Sequence, residues 1–212
     1  MISKVTFKTA SLFSLKNYND SHLNSRSYEY PMTYTLRGAI LSSVIQLDGV
    51  EKAKELFHKI KNAIIYVQYP GEFVKNTVKL KLASNSYYGK QKEDEELEVG
   101  ENITSVGVRE FVDVDKIVFY IDNSISNLEM YLNNIEVIGN SDSMVYLESI
   151  EKVDKLENVL MPWVEEVDGD CYLYEMYDWV SSKIKFEDIY LFSEKRNRKQ
   201  EKRICCVKNI KI

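Results

Sequence analysis

Residues 2–8 alternate: Val5 and Phe7 fall on one side, Lys4, Thr6 and Lys8 on the other. That is the period-two pattern of a strand with one buried face. Residues 9–30 are rich in Ser, Asn and Tyr without any period and predict a long loop, closed by Pro31. Thr33 or Thr35 can cap the helix that follows. Its apolar positions are Leu36, Ile40, Leu41, Val44 and Ile45, and Asp48 and Gly49 mark its end. A second helix over 50–61 carries Ala53, Leu56, Phe57 and Ile60 at the spacing of one buried face. Residues 63–69 predict a strand, stopped by the turn pair Pro70 and Gly71.

Residues 73–83 alternate again, with Val74, Val78, Leu80 and Leu82 opposite Lys75, Thr77, Lys79 and Lys81. A polar, acidic stretch over 84–101 separates this run from a strand over 103–114. There Val106, Val108 and Val112 turn to the core, opposite Gly107, Arg109 and Phe111. A more buried strand over 116–122 follows. A helix over 127–136, capped by Ser126 or Asn127, presents Leu128, Tyr131, Leu132 and Ile135 on one face, and a short strand covers 143–147. Without the 73–114 excursion the order is β, α(α), β, β, α, β, the split βαβ pattern of a ferredoxin-like α/β (α+β) domain. The chain therefore divides into a βαββαβ domain over 1–150, with 73–114 as a long inserted β-hairpin, and a smaller β-rich part over 151–212. In that last part, segments 170–179, 186–192 and 203–210 read as strand-like.

Composition changes this picture in three places. The net charge of −5 argues against free-standing nucleic-acid binding. Its distribution matters more: residues 195–212 hold eight Lys or Arg and one acid, Glu201, a balance of +7. The preceding residues hold the other twenty bases and thirty-two acids, a balance of −12. Any RNA contact must then use a local basic face. Cys171, Cys205 and Cys206 are odd in number, and two are adjacent, which disfavours a disulfide framework and lacks the paired spacing of a zinc site. No apolar run approaches the ~20 residues of a membrane span, and residues 1–15 lack a signal-peptide pattern. The expectation is a cytoplasmic protein with no metal, no cofactor and no membrane partner.

The alternating strands set basic residues on shared faces: Lys4 with Lys8, Lys75 with Lys79 and Lys81, and Arg109 with Phe111. Spaced cations suit a phosphate backbone, and aromatic or guanidinium planes suit unstacked bases. Lysine on a solvent-facing strand edge is the plain alternative. Arg37 and Gly38 fall in the first turn of the first helix, where backbone N–H groups can meet an anion, and Gly38 allows a close approach or tight helix–sheet packing. His22, in the long loop with Lys16, Tyr18, Tyr28 and Tyr30, is a candidate acid or base. His58 reads as structural or exposed. No phosphate-binding glycine loop, nucleophile elbow or metalloprotease motif occurs.

Three stretches, SYEYPMTYTLRGAILSSVIQLDG (27–49), SVGVREFVDV (105–114) and IGNSDSMVYL (138–147), resemble in order and spacing the CRISPR-associated RAMP proteins. Within that superfamily they are most similar to family five, the subunit that caps the 5′ end of the guide RNA in Cascade. The resemblance implies a non-catalytic subunit of a type I surveillance complex in antiviral defence. It would bind the 5′ handle of guide RNA, and the 73–114 hairpin would interrupt guide–target pairing. Implied partners are the backbone subunit, the large PAM-reading subunit and, indirectly, target DNA. The same resemblance implies that Arg26 and Arg37 contact the handle, beside Lys4, Lys8, Lys75, Lys79, Lys81, Arg109 and Phe111. Two alternatives stay open: a metal-independent endonuclease that processes precursor guide RNA, and a protein-only scaffold. RAMP nucleases typically carry a glycine-rich loop near the C-terminus, and this chain has no glycine after Gly169.

Overall fold

The computed structural model of the chain describes residues 2–16, 20, 24–83, 104–162, 171–179, 183–190 and 200–208. His22, the acidic stretch expected at the hairpin tip, the acidic run 165–170 and the basic segment 195–199 lie outside the described residues.

Alternation in β1 (Ile2–Thr9) and apolar density in β6 (Lys116–Asp122) place these two strands at the centre of a four-stranded antiparallel sheet. The order is β3 (Ile65–Val67), β6, β1, β7 (Val145–Val153). Between β1 and β3 runs the helical segment α1 (Thr33–Asn62), and between β6 and β7 runs α2 (Leu128–Asn133). Each βαβ unit is thus split by a strand of the other, an α/β architecture consistent with a ferredoxin-like fold. Val5, Phe7, Phe119 and Ile121 turn inward and join Leu36, Ile40, Leu56 and Ile60 of α1 and Leu132 of α2 in one core. The rings of Phe7 and Phe119 stack across β1 and β6 at 6.1 Å.

α1 is two helices. Gly49 interrupts it at φ 85°, ψ 175°, a conformation essentially reserved for glycine. Arg37 Nη1 nevertheless donates to Ile60 O at 2.7 Å. In a straight helix residues 23 apart would stand about 35 Å apart. The chain therefore doubles back at Gly49, as the two predicted helices require.

Two smaller sheets complete the structure. β4 (Val74–Ala83) and β5 (Thr104–Asp113) pair antiparallel in the region where a hairpin is expected, with β2 (Asn24–Ser25) parallel on the far edge of β5. β8 (Met161–Pro162), β10 (Gln200–Lys208) and β9 (Cys171–Trp179) form the other, with β10 central. The latter sheet is sewn to the first turn of α1 and to the loop before it. Tyr30 donates to Glu175 O (2.9 Å), Thr33 Oγ1 donates to Tyr177 O (3.1 Å), and the Tyr69 and Tyr174 rings lie 4.6 Å apart.

Several local expectations change. Thr33 caps no helix, because its hydroxyl serves β9; Met32 is the N-cap residue and makes no side-chain cap. Asn127 begins α2 in the left-handed region without a cap bond, and the helix stops at Asn133. β7 runs on to Val153 because it pairs with all of β1, although its sequence turns polar after Leu147. Segment 186–192, aromatic enough to suggest a strand, instead opens with the short helix α3 (Phe186–Ile189). Asp188 accepts from the Lys185 N–H at 2.8 Å, and the i, i+4 rings of Phe186 and Tyr190 stack at 5.3 Å. β10 starts at Gln200, so the end of the basic stretch is strand: Lys202 stands opposite Tyr177 and ion-pairs with Glu175.

Candidate nucleic-acid interface

The sequence stretches 27–49, 105–114 and 138–147 meet in space, on residues 11–15 of the long loop. Ser14 is the hub. Its N–H donates to Ser143 Oγ (3.3 Å), its hydroxyl donates to Glu110 O (2.8 Å), and its carbonyl accepts from Asn140 Nδ2 (2.7 Å). The Leu15 N–H donates to Ser27 Oγ (2.9 Å), and the Ser27 N–H donates to Glu110 Oε1 (3.0 Å). Ser11 Oγ donates to Asp142 O (2.7 Å), while Arg109 Nη1 pairs with Asp142 Oδ2 at 3.2 Å. Phe13 adds a backbone bridge to Val112, so the unpatterned loop is held by both backbone and side chains. The turn at 139–143 depends on Gly139. Its φ of 96° suits glycine, and a Cβ there would collide with the Leu15 side chain.

Beside this junction opens a cavity of about 590 Å³. Gly38, Ser42 and Gln46 of α1 border it, Tyr28, Trp179 and Tyr190 form aromatic wall, and Asn140 and Lys16 stand on the side of the junction. An apolar concavity with a few convergent polar groups is the usual form of a ligand site.

The predicted cations are largely engaged within the chain. Lys4 faces Glu157 at 3.7 Å and Lys8 faces Asp115 at 4.0 Å. Exposed Arg26 pairs with Asp20 at 3.1 Å, and that hydrogen bond holds the Asp20 carboxyl below the usual carboxylate range. Lys75 lies between Glu29 (2.5 Å) and Glu110 (3.2 Å) and donates to Ser27 O (3.2 Å). It ties the root of the hairpin to the loop before α1. Arg37 is a correction. Its side chain is 7% exposed, bidentate on Asp178 (2.9 and 3.0 Å), and donates to Ile60 O and Ala63 O (2.7 and 2.8 Å). Every one of these partners is internal, so Arg37 joins the two halves of α1 to β9 and presents nothing at the surface.

Lys79 is exposed and makes no ion pair among the described residues. Lys81 is placed by register alone, opposite Val106. Arg109 stands opposite Val78 and Phe111 opposite Asn76, whereas the lysines stand opposite Val112, Val108 and Val106. Directly opposed residues share a face, so Arg109 and Phe111 lie on one face of the hairpin and the lysines on the other. The expected orientation of the apolar side is also revised: Val74 is 59% and Val78 38% exposed, while Val112 is fully buried. The hairpin packs through Val112 and its lysine-bearing face at the root, leaving Val74 and Val78 of the other face exposed.

The helix-free face of the four-stranded sheet is where RNA-binding modules commonly stack bases. Here its central aromatic, Tyr120, is 1% exposed. It bonds Gln68 Oε1 (3.4 Å) and accepts from the Glu157 N–H (3.3 Å), and Glu157 also faces Lys4. The segment after β7 thus covers that platform. His58 is exposed, with Asn62 Nδ2 3.1 Å from its Nε2. Among the described residues no group of His, Cys, Asp and Glu has the arrangement of a metal site.

No protein-family model matches the chain. It is 26% identical over 206 residues to the CRISPR-associated protein Cas5 of Archaeoglobus fulgidus, covering 92% of this chain and 86% of that one. At this identity the chain is similar to a CRISPR-associated protein over nearly its whole length. Among solved structures, one chain of a CRISPR RNA-guided surveillance complex superposes with TM-score 0.51 at 12% identity, covering 97% of this chain and 89% of the other. That superposition shows a shared fold. A CRISPR protein from Archaeoglobus fulgidus matches at TM-score 0.48 and 13% identity over 98% of this chain and 85% of that one.

Residues the sequence did not mark as a site are Trp179, Tyr190, Gln46 and Asn140, which reach the cavity from three distant parts of the chain. Only Gly139, in a turn-forming context, carried a local signal.

Proposed function

We propose that the chain is a non-catalytic, cytoplasmic subunit of a type I CRISPR ribonucleoprotein and that it holds the 5′ handle of the guide RNA. The observation that carries this reading is the convergence of the three family-like stretches on one junction beside an aromatic-walled cavity. A distant CRISPR-associated homologue matching nearly the whole chain supports it. In this reading the four-stranded sheet is a ferredoxin-like βαββαβ core, and its usual RNA platform is closed by the segment over Tyr120. Guide RNA instead meets the junction, with Arg109 as a phosphate contact there and exposed Lys79 as a second contact on the opposite face of the β4/β5 pair. The hairpin projects toward the guide–target duplex, and the backbone and PAM-reading subunits flank the chain.

The test is to purify the tagged chain from its own cells and sequence the 5′ ends of the RNA that accompanies it. RNAs sharing one constant 5′ segment followed by varied sequence are expected. In a salt titration of that complex, Arg109→Ala and Lys79→Ala should each reduce the log–log slope by about 0.7. RNA with unrelated 5′ ends would overturn the handle-binding reading, and specific cleavage of precursor RNA by the isolated chain would restore the nuclease alternative.

A further inference from the structure

Gly38 lies inside the first helical half of α1, where glycine is less stable than alanine. Its backbone is helical, so no left-handed conformation calls for it. Tight packing does not call for it either, since a Cβ at this position would have no heavy atom within 4 Å. What Gly38 borders is the cavity of about 590 Å³.

We propose that Gly38 sets the depth of this cavity and thereby lets it accept one unstacked nucleobase of single-stranded RNA. This rests on the guide-binding reading above and names a residue and a ligand for it. The cavity offers the three things a flipped-out nucleotide needs. Tyr28, Tyr34, Trp179 and Tyr190 supply aromatic surface for a flat ring. Ser42 and Gln46 follow Gly38 at four and eight residues on the same helix face. Asn134 Nδ2 donates to Gln46 Oε1 at 3.0 Å, which leaves the Gln46 amide N–H groups as donors for a base edge. Lys16 supplies a cation at the same cavity for the connecting phosphate. An apolar side chain from a partner protein would use the walls and leave the Gln46 donors unused.

The experiment measures binding of the full chain to short fluorescein-labelled single-stranded RNA oligomers of A, C or U, by anisotropy, beside thermal unfolding. Gly38→Leu should bind about tenfold more weakly, the loss expected when one stacked base is displaced. Lys59→Leu, on the exposed face of the second half of α1, should bind as the unchanged chain does. An oligomer with one abasic residue at the critical position should lose the same factor, and Gly38→Leu should then add nothing further.

Should Gly38→Leu fail to fold, Gly38→Ala keeps the test open. It should melt at a higher temperature yet bind more weakly, a combination that general destabilisation cannot produce. Binding by both Gly38 variants equal to the unchanged chain would overturn the inference while leaving the guide-binding reading intact. A loss that adds fully to that of the abasic oligomer would do the same. No RNA binding by the unchanged chain at low salt, with Gly38-dependent capture of a neighbouring protein subunit instead, would overturn both.

Discussion

Replacing Arg37 by leucine separates two roles that its sequence position suggested equally well. In the structure the guanidinium is bidentate on Asp178, whose Oδ1 also accepts the Trp179 N–H at 2.8 Å. It further satisfies Ile60 O and Ala63 O at the end of α1. Helix-end carbonyls have no partner within the helix, so Arg37 serves as a cap delivered from the other half of the same segment. Removing one member of a buried pair leaves the other charge uncompensated and costs about 3–5 kcal/mol. Against a total stability of roughly 5–15 kcal/mol, this is a large fraction. For a chain of this size it lowers the melting temperature by about 6–20 °C. Urea titration of Arg37→Leu, Asp178→Leu and the double variant is the assay. Each single variant should lose about 4 kcal/mol, and the double should recover part of that loss, because no buried charge remains. An Arg37→Leu chain within ~1 kcal/mol of the parent but deficient in RNA association would refute the structural role.

Two further outcomes follow from neighbouring side chains. Lys75→Ala should loosen the hairpin root, leaving Glu29 and Glu110 close together without a cation. Hydrogen exchange should accelerate at the start of β4 and the end of β5, and unchanged protection there would contradict the clamp. The Tyr131 phenol is pushed up to about 12, first by burial and then by its hydrogen bond to Asp48 (2.6 Å). Because the folded state holds this proton more tightly, its contribution is complete below the ordinary tyrosine value near 10 and is lost as pH rises through about 12. Tyr131→Phe should flatten that alkaline limb of stability, and an unaltered limb would show that other groups produce it.

Most of the fold was legible because its signals are local. β1, β4 and β6 declare themselves by alternation or apolar density, and Gly49 announces the break between the helices. What was not legible depended on distance in sequence. Arg37 has the context of a surface cation in a first turn, and only the arrival of Asp178 on β9 makes it internal. Lys75 belongs by period to the face of Lys79, yet the root of the hairpin lies against Glu29 while Lys79 stands farther out along the strand. The polar second half of β7 gains its strand structure from β1 rather than from its own residues. At the candidate site, the three stretches were recognisable by their combined order and spacing, but their junction is made by serines and an asparagine whose types say little until they meet.

The bond between Arg37 and Asp178 also orders events in time. The two residues are 141 positions apart. At a synthesis rate of about 5–20 residues per second, Arg37 waits roughly 7–28 s for its counter-ion. The central sheet can assemble once β7 has been made, but the interior of α1 then holds an unneutralised guanidinium. Its bonds to Ile60 O and Ala63 O can form within α1, but its carboxylate partner arrives only with β9. A nascent chain that has β7 but not yet β9 therefore lacks both the counter-ion of Arg37 and the Trp179 wall of the aromatic cavity.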